Sequence, residues 1–254
     1  MGEKSPVFAG IEIKRTAGRL SQPFVFTALD QDRKLLAISS ASLQDVLAYL
    51  GGQQFAYVAI NAPRRPNNGV VQQETARQTP SPPDKSPAKT RLCETQLEQQ
   101  GFPNPGTPGN FTACPGWMRR GFKLYQQLEN YGYRPSPEDA GGKYSLETLA
   151  DAVFWRLLNG KLALPLSLEG RLQRQLILLD AELPVPDAMT FFDEITRYKL
   201  IQGELPDEDI FTLEELNALT AALIAWQAAF EPNQLERLGD FDEGQIVLPI
   251  RKTL

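Results

Sequence analysis

The sequence predicts an α/β fold: a mixed sheet, built from an antiparallel meander and parallel strands, with a helical C-terminal half. Three β-like runs follow one another closely, at residues 7–15, 24–29 and 33–39. A later run, residues 57–60, is apolar without polar alternation, which is typical of a strand covered on both faces. From Trp117 onward, apolar residues recur at helical spacing.

The amino-acid composition limits the catalytic mechanisms that this chain can use. A chain of 254 residues, 42% of them hydrophobic, is long enough to bury a core. Histidine is absent, which excludes Ser-His-Asp and Cys-His catalysis and leaves carboxylates, amides and hydroxyls. No stretch has the pattern of a signal peptide or membrane span, so we expect a cytoplasmic protein and no membrane partner. We therefore expect Cys93 and Cys114 to be free thiols.

Two polar residues stand out in the predicted strands. Glu12 is the only acid in the first run, and is either a ligand facing a crevice or an outward-facing edge residue. Asn61 ends the apolar run before Pro63. It either opens a turn or faces the crevice at the carboxyl end of the strand, where ligands collect in open α/β sheets.

The order of elements predicts where these two residues lie. Ser42 is a plausible N-cap for a helix between the third strand and the strand that ends at Asn61. A right-handed helical crossover sets that strand parallel to the first and beside it. Glu12 and Asn61 are then neighbours. This is the geometry of the ribonuclease-H-like fold, in which acids hold two divalent ions for phosphodiester hydrolysis.

Residues 64–116 are predicted to form an irregular, proline-rich loop. Its part from 67 to 89 is rich in Gln, Thr, Ser and Pro and has no periodicity, which indicates mobility. A short helix is predicted at 91–100, before Gly101. A loop of this length is either a tolerated surface insertion or a lid over a site.

The C-terminal half is predicted to contain further helices and a closing strand at 244–250. The helices are expected at 117–128, after Ser145 as N-cap, at 168–179, at 188–202 and at 212–230. The last begins with a capping box of Thr212 and Glu215. Asn217, in its second turn, is either a hydrogen-bonded core residue or a second amide facing the crevice.

Several motifs together resemble one family. They are A-I-N-A-P at 59–63, R-L-C-E at 91–94, W-M-R-R-G-F at 117–122, L-E-G-R-L-Q-R-Q at 168–175 and E-G-Q-I-V-L-P at 243–249. Their order and spacing resemble the bacterial family called domain of unknown function 429, predicted nucleases with a ribonuclease-H-like fold. The resemblance covers nearly the whole chain. It implies a single ribonuclease-H-like domain over residues 1–254.

The resemblance also implies four catalytic positions that the family fills with acids. Here they hold Glu12, Asn61, Glu94 and Asn217, so two of the four are amides. Glu12 and Glu94 are then the candidate metal ligands. Because Mg²⁺ prefers carboxylate oxygens and an amide adds no charge, we expect Mg or Mn to bind weakly if at all.

Three functions follow as expectations. The first is a metal-dependent, ribonuclease-H-like nuclease, attenuated by the two amides; the alternative is a catalytically inactive nucleic-acid-binding or regulatory relative. Phosphoryl transfer, as in sugar kinases of this fold, is less supported because the chain has no glycine-rich phosphate loop.

The net charge of −5 opposes non-specific nucleic-acid binding but permits a local basic groove. The candidate groove residues are Arg64, Arg65, Arg119, Arg120 and Lys123.

Overall fold

The computed structural model describes residues 5–16, 22–71, 90–104, 106–136 and 142–251. This part of the chain forms one eight-stranded sheet flanked by helices. The strands are β1 Val7–Ile13, β2 Phe24–Leu29, β3 Leu35–Ala41, β4 Ala56–Asn61, β5 Arg134–Pro135, β6 Lys143–Glu147, β7 Leu235–Asp240 and β8 Gly244–Pro249. The helices are α1 Leu43–Gly51, α2 Leu92–Gln99, α3 Gly116–Asn130, α4 Ala150–Leu158, α5 Leu168–Asp180, α6 Thr190–Glu194, α7 Arg197–Gln202 and α8 Leu213–Phe230.

The sheet is mixed, and its strand order is β3-β2-β1-β4-β6-β8-β7, with β5 beside β6. Strands β1 to β3 form an antiparallel meander. Strands β1, β4, β6 and β8 run parallel, and β7 returns antiparallel to β8. The predicted α/β class is confirmed, with the meander and the parallel strands predicted for a ribonuclease-H-like sheet.

The core lies on both faces of the sheet. Alternate β1 residues, such as Ile11, pack in a cluster with residues of α1 and α3. Phe8 points to the other face and belongs to a cluster with residues of α4, α5 and α8. Two buried faces explain why β1 and β4 lack polar alternation, because neither face meets water.

Gly10 sets how closely α8 approaches β1. A Cβ atom at Gly10 would lie 1.9 Å from the carbonyl oxygen of Ala218 and 2.3 Å from the amide nitrogen of Ala222. Only glycine permits this approach without a backbone shift. This close approach places the first turns of α8, which carry Asn217, against the carboxyl half of β1.

The predicted N-caps of α1 and α8 are both confirmed. The hydroxyl of Ser42 accepts from the amide of Asp45, whose carboxylate accepts from the amide of Ser42. Thr212 and Glu215 form the same reciprocal pair at the start of α8. These local hydrogen bonds satisfy amide groups that the first helical turn leaves free.

Two predicted helix boundaries are wrong. Ser145 lies in β6 rather than at an N-cap, and α4 begins five residues later, at Ala150. The segment predicted as one helix over 188–202 contains α6 and α7. Ile195 is extended between them, and the hydroxyl of Thr196 accepts from the amide of Lys199, which caps a separate helix.

The segment predicted as an irregular loop at 64–116 has two parts. Residues 72–89, which make up most of the stretch expected to be mobile, lie outside the described residues. The remainder contains α2, where predicted, and this helix packs on β7 through buried Cys93 and Leu97. Cys93 and Cys114 are both free and buried.

None of the helices in the described ranges has the length and apolarity required to cross a lipid bilayer.

Candidate functional site

Glu12 and Asn61 meet at the carboxyl ends of β1 and β4. They are paired in the parallel register, and the amide Nδ2 of Asn61 donates to Oε2 of Glu12. Oδ1 of Asn61 accepts from the backbone amide of Ala150, the first residue of α4, at 2.9 Å. The predicted contact between Glu12 and Asn61 is therefore confirmed. Asn61 uses both ends of its amide to hold this contact and the start of α4 together.

Burial changes the protonation of Glu12. Loss of hydration is the main cause that raises its pKa from 4.5 to about 8. The hydrogen bond from Asn61 and the charge of Arg15 lower the pKa, whereas Glu214 and Asp151 raise it. A pKa of about 8 favours the protonated, uncharged form of the Glu12 carboxyl at neutral pH, and a metal ion that bound this form would have to displace the proton.

Glu94 lies in the first turn of α2, buried and surrounded by donors. Its Oε2 accepts from the amides of Arg91 at 2.8 Å and Thr107 at 2.9 Å. Its Oε1 accepts from Nε of Arg91 at 3.0 Å and from the hydroxyl of Thr107. A carboxylate offers about four acceptor positions. All of them are occupied, so Glu94 has no free lone pair for a metal ion in this arrangement.

Arg91 joins Glu94 to Glu147, the last residue of β6. Its two terminal nitrogens contact the two carboxylate oxygens of Glu147, one of them at 2.9 Å. The backbone amide of Arg64 also donates to Glu147, at 2.8 Å. We call Arg91, Glu94, Thr107 and Glu147 the Arg91 cluster. Burial is the largest single influence on the pKa of Arg91 and lowers it, but the raising influences together, led by the charge of Glu147, outweigh burial and hold the pKa well above its usual value.

Sequence reasoning missed Arg91 and Glu147 as members of the site. Arg91 belongs to the R-L-C-E motif, in which only Glu94 was singled out. Glu147 is the last residue of the short strand β6, which the sequence did not predict. A strand prediction over 143–147 would have identified Glu147 as a second acid at the carboxyl edge of the parallel strands.

Asn61 and Glu94 line one small cavity at this edge, together with Arg91, Thr107 and Glu147. Its volume is about 40 Å³. A water needs roughly 10–15 Å³ on this scale, so the cavity has room for a few waters and not for a nucleotide. Two of the four implied positions therefore share a cavity, while Glu12 is connected to it through Asn61.

Asn217 is the fourth implied position. It lies in α8 with its side chain 8% exposed, and its Oδ1 is buried without a hydrogen-bond partner among the described residues. It is not among the residues that line the cavity. Glu12 thus contacts Asn61 directly, and Asn61 shares the cavity with Glu94. In the described part of the chain, Asn217 neither contacts these residues through a hydrogen bond nor lines the cavity.

Arg64 and Arg65 point in different directions. Arg64 is buried, with its guanidinium 3.0 Å from Oε1 of Glu129 and 3.1 Å from the hydroxyl of Ser145. These contacts hold Arg64 inward, away from the position expected of a phosphate ligand. Arg65 is exposed and donates to the carbonyl oxygen of Asp242 at 2.9 Å.

The basic edge of α3 extends onto the end of β1. Gly121 lets α3 pack tightly there, since a Cβ atom would lie 2.9 Å from Ala62 and 3.3 Å from Ile13. Arg120 donates to the carbonyl oxygen of Lys14 at 2.8 Å, and Arg15 lies 5.1 Å from the ring of Trp117.

We call this surface the basic strip. Its members are Lys14, Arg15, Trp117, Arg119, Arg120 and Lys123. Within the described ranges, Lys14, Arg15, Arg119 and Lys123 form no salt bridge with a carboxylate. Sequence reasoning found the α3 members but not Lys14, Arg15 or the role of Trp117, because only the packing of α3 on β1 brings them together.

In the part of the chain that the structure describes, no three Cys, Asp or Glu side chains form a group that could hold a metal ion. Comparisons with models of known protein families, with curated proteins and with solved structures found no match. The family resemblance and the catalytic roles it implies stay predictions.

Proposed function

We propose that this protein is a catalytically inactive, ribonuclease-H-like relative that binds single-stranded or hybrid nucleic acid through the basic strip. One observation carries the inactivity. The two acids at the implied positions already have internal partners: Glu12 accepts a hydrogen bond from Asn61, and every acceptor position of Glu94 is filled.

The charge of the site supports the same conclusion. Two divalent ions held close together require several carboxylates to offset their repulsion. Here Glu12 is neutral, Asn61 and Asn217 are amides, and Glu94 is paired with Arg91. A metal ion would have to remove a proton from one acid and break the ion pair of the other.

The basic strip supports nucleic acid as the ligand. Exposed cations without carboxylate partners can contact phosphates and release counterions from the polymer. Trp117, partly exposed under Arg15, offers an aromatic face on which a base can stack. The chain as a whole is acidic, so we expect binding to be weak and confined to low salt.

Binding is tested by fluorescence polarisation with labelled DNA, RNA and RNA–DNA hybrids over a range of salt concentrations. We expect Arg15→Ala with Arg119→Ala to weaken binding. For single strands it should also reduce the slope of log affinity against log salt by about 1.4, since each phosphate contact contributes about 0.7. The matched control, Lys161→Ala with Arg197→Ala, removes two exposed cations outside the strip and should leave the slope unchanged. If wild type binds none of these polymers at low salt, the nucleic-acid proposal is wrong.

A cleavage assay addresses the second candidate, an attenuated nuclease that uses Mg or Mn. The shared cavity of Asn61 and Glu94 at the carboxyl edge of the sheet favours this candidate. We expect wild type to leave a labelled hybrid intact with either metal. Metal-dependent cleavage that disappears in Glu12→Gln would reverse the conclusion, because it would show that Glu12 gives up its proton to a metal ion.

A further inference from the structure

Residues 187–209, between α5 and α8, expose an unusual number of apolar side chains. Phe192 is 55% exposed, Tyr198 72% and Ile201 68%. The large exposed apolar residues of this segment are Met189, Phe192, Tyr198, Leu200, Ile201 and Leu205. Single exposed apolar residues are ordinary, but a concentration of them marks a surface that binds another molecule.

This segment is anchored to the rest of the protein despite its exposed face. Phe191 and Ile210 pack with Leu172 of α5 in a small separate core. Gln175 of α5 holds both ends of the segment: its Nε2 donates to the carbonyl oxygens of Pro186 and Asp209, each at 2.9 Å. The exposed residues therefore lie on a fixed support. We call residues 187–209 the acidic platform.

The charge of the platform is as distinctive as its apolar surface. It contains seven Asp or Glu and two Lys or Arg, which gives a net charge of −5. The whole chain also has a net charge of −5, so the remaining residues are balanced. The net negative charge of this protein is thus carried by the same segment that exposes this series of apolar side chains.

Four of the seven acids of the platform line an open cleft. The cleft has a volume of about 430 Å³ and is lined by Glu194, Lys199, Glu204, Glu208 and Asp209. Glu194, Glu204 and Glu208 form no salt bridge within the described ranges. Over the same ranges these carboxylates do not converge on a point that could hold a metal ion. Their spread fits the separated charges of a lysine- or arginine-bearing chain.

We propose that the acidic platform docks a basic amphipathic segment of a partner protein. The apolar residues of the partner cover Phe192, Tyr198 and Ile201, and its cationic side chains enter the cleft beside Glu204 and Glu208. Charge complementarity selects this occupant over an anionic ligand or nucleic acid. The proposal is independent of the nucleic-acid function, which uses the basic strip.

The probe is a labelled amphipathic peptide of leucine and lysine, about 18 residues long to give five helical turns. A peptide with glutamate at every lysine position is its matched control. We expect fluorescence polarisation to show that the full-length protein binds the lysine peptide, more weakly as salt rises, and not the glutamate peptide.

Two pairs of variants locate the binding surface. Phe192→Ser with Ile201→Ser should weaken binding of the lysine peptide about tenfold or more, since apolar burial is lost. Leu164→Ser with Leu166→Ser removes side chains that are 77% and 82% exposed outside the platform, and should leave affinity unchanged. All four positions are exposed, so the variants should fold, which circular dichroism verifies.

Three outcomes would overturn the proposal. The first is no binding of the lysine peptide at low salt, and the second is an equal loss of affinity in both variant pairs. The third is a wild-type dimer in sedimentation velocity that Phe192→Ser with Ile201→Ser converts to monomer, without peptide binding by either protein. That result would make the platform a contact between copies of this chain.

Discussion

Two groups of buried carboxyl side chains lie at the same edge of the sheet and differ in the side chain that each group contacts. Glu12 contacts an amide, Asn61, and burial raises its pKa to about 8 although the hydrogen bond from Asn61 lowers it. Glu94 and Glu147 contact the guanidinium of Arg91 and form ion pairs with it. The difference lies in the partner: Glu94 and Glu147 share a buried cation, which compensates for the loss of hydration, whereas an amide cannot do so for Glu12.

The two groups also have different structural roles. The Glu12 contact joins neighbouring strands that already pair through their backbones. The Arg91 cluster joins the start of α2, the loop at Thr107 and the end of β6, three segments that do not pair with one another in the sheet. We therefore expect stability to depend more on the Arg91 cluster than on the charge of Glu12.

The largest expected effect comes from Arg91→Met. This change leaves Glu94 and Glu147 buried without a cation, so we expect the free energy of unfolding to fall by about 3–5 kcal/mol. Urea denaturation followed by circular dichroism measures it. A loss below about 1 kcal/mol would mean that the cluster is hydrated or rearranges in solution.

A smaller effect concerns pH and Glu12. The folded state keeps the Glu12 proton between pH 4.5 and about 8, whereas the unfolded state releases it above its ordinary pKa of 4.5. Because the folded state binds more protons, rising pH in this interval lowers the free energy of unfolding by about 1.4 kcal/mol per pH unit.

The matched variant is Glu12→Gln, which keeps the shape of the side chain and has no proton to release. Urea unfolding of both proteins from pH 5 to pH 9 should show a stability difference that changes in favour of the variant up to about pH 8 and then levels off. Parallel stability curves would show that Glu12 is not protonated in the folded protein.

The smallest effect is expected for an exposed ion pair that serves as a reference. Arg33 lies 2.5 Å from Glu182, whose side chain is 76% exposed. We expect Glu182→Gln to change the free energy of unfolding by at most about 1 kcal/mol, and less at high salt, because water screens the pair. A loss as large as that of Arg91→Met would remove the distinction between buried and exposed ion pairs in this protein.

The parts of the site that follow local rules were predictable. The strand-helix-strand order from β3 to β4 and the cap at Ser42 sufficed to place Glu12 beside Asn61. The parts that depend on distant contacts were not. From the sequence, Arg64 resembles a phosphate ligand beside Asn61. In the structure it pairs instead with Glu129, which lies 65 residues away in the sequence.

Strand β6 is a second feature that the sequence alone did not predict. Its five residues, K-Y-S-L-E, do alternate polar and apolar side chains, but the run is short and Ser145 resembles a helix cap when the sequence is considered alone. Pairing with β4, and burial of Tyr144 and Leu146 against the helices, make this segment a strand. Tertiary context overrides local preference in a segment this short.

The sequence by itself determined the α/β class, the caps of α1 and α8 and the pairing of β1 with β4, because these depend on periodicity, on hydrogen bonds between near neighbours and on the fixed hand of a helical crossover. Tertiary structure alone decided that burial raises the pKa of Glu12, that Arg91 forms ion pairs with Glu94 and Glu147, and that Arg15 lies over Trp117. Protonation and ion pairing depend on hydration and on the distance between charges, and both are set only when remote segments pack together.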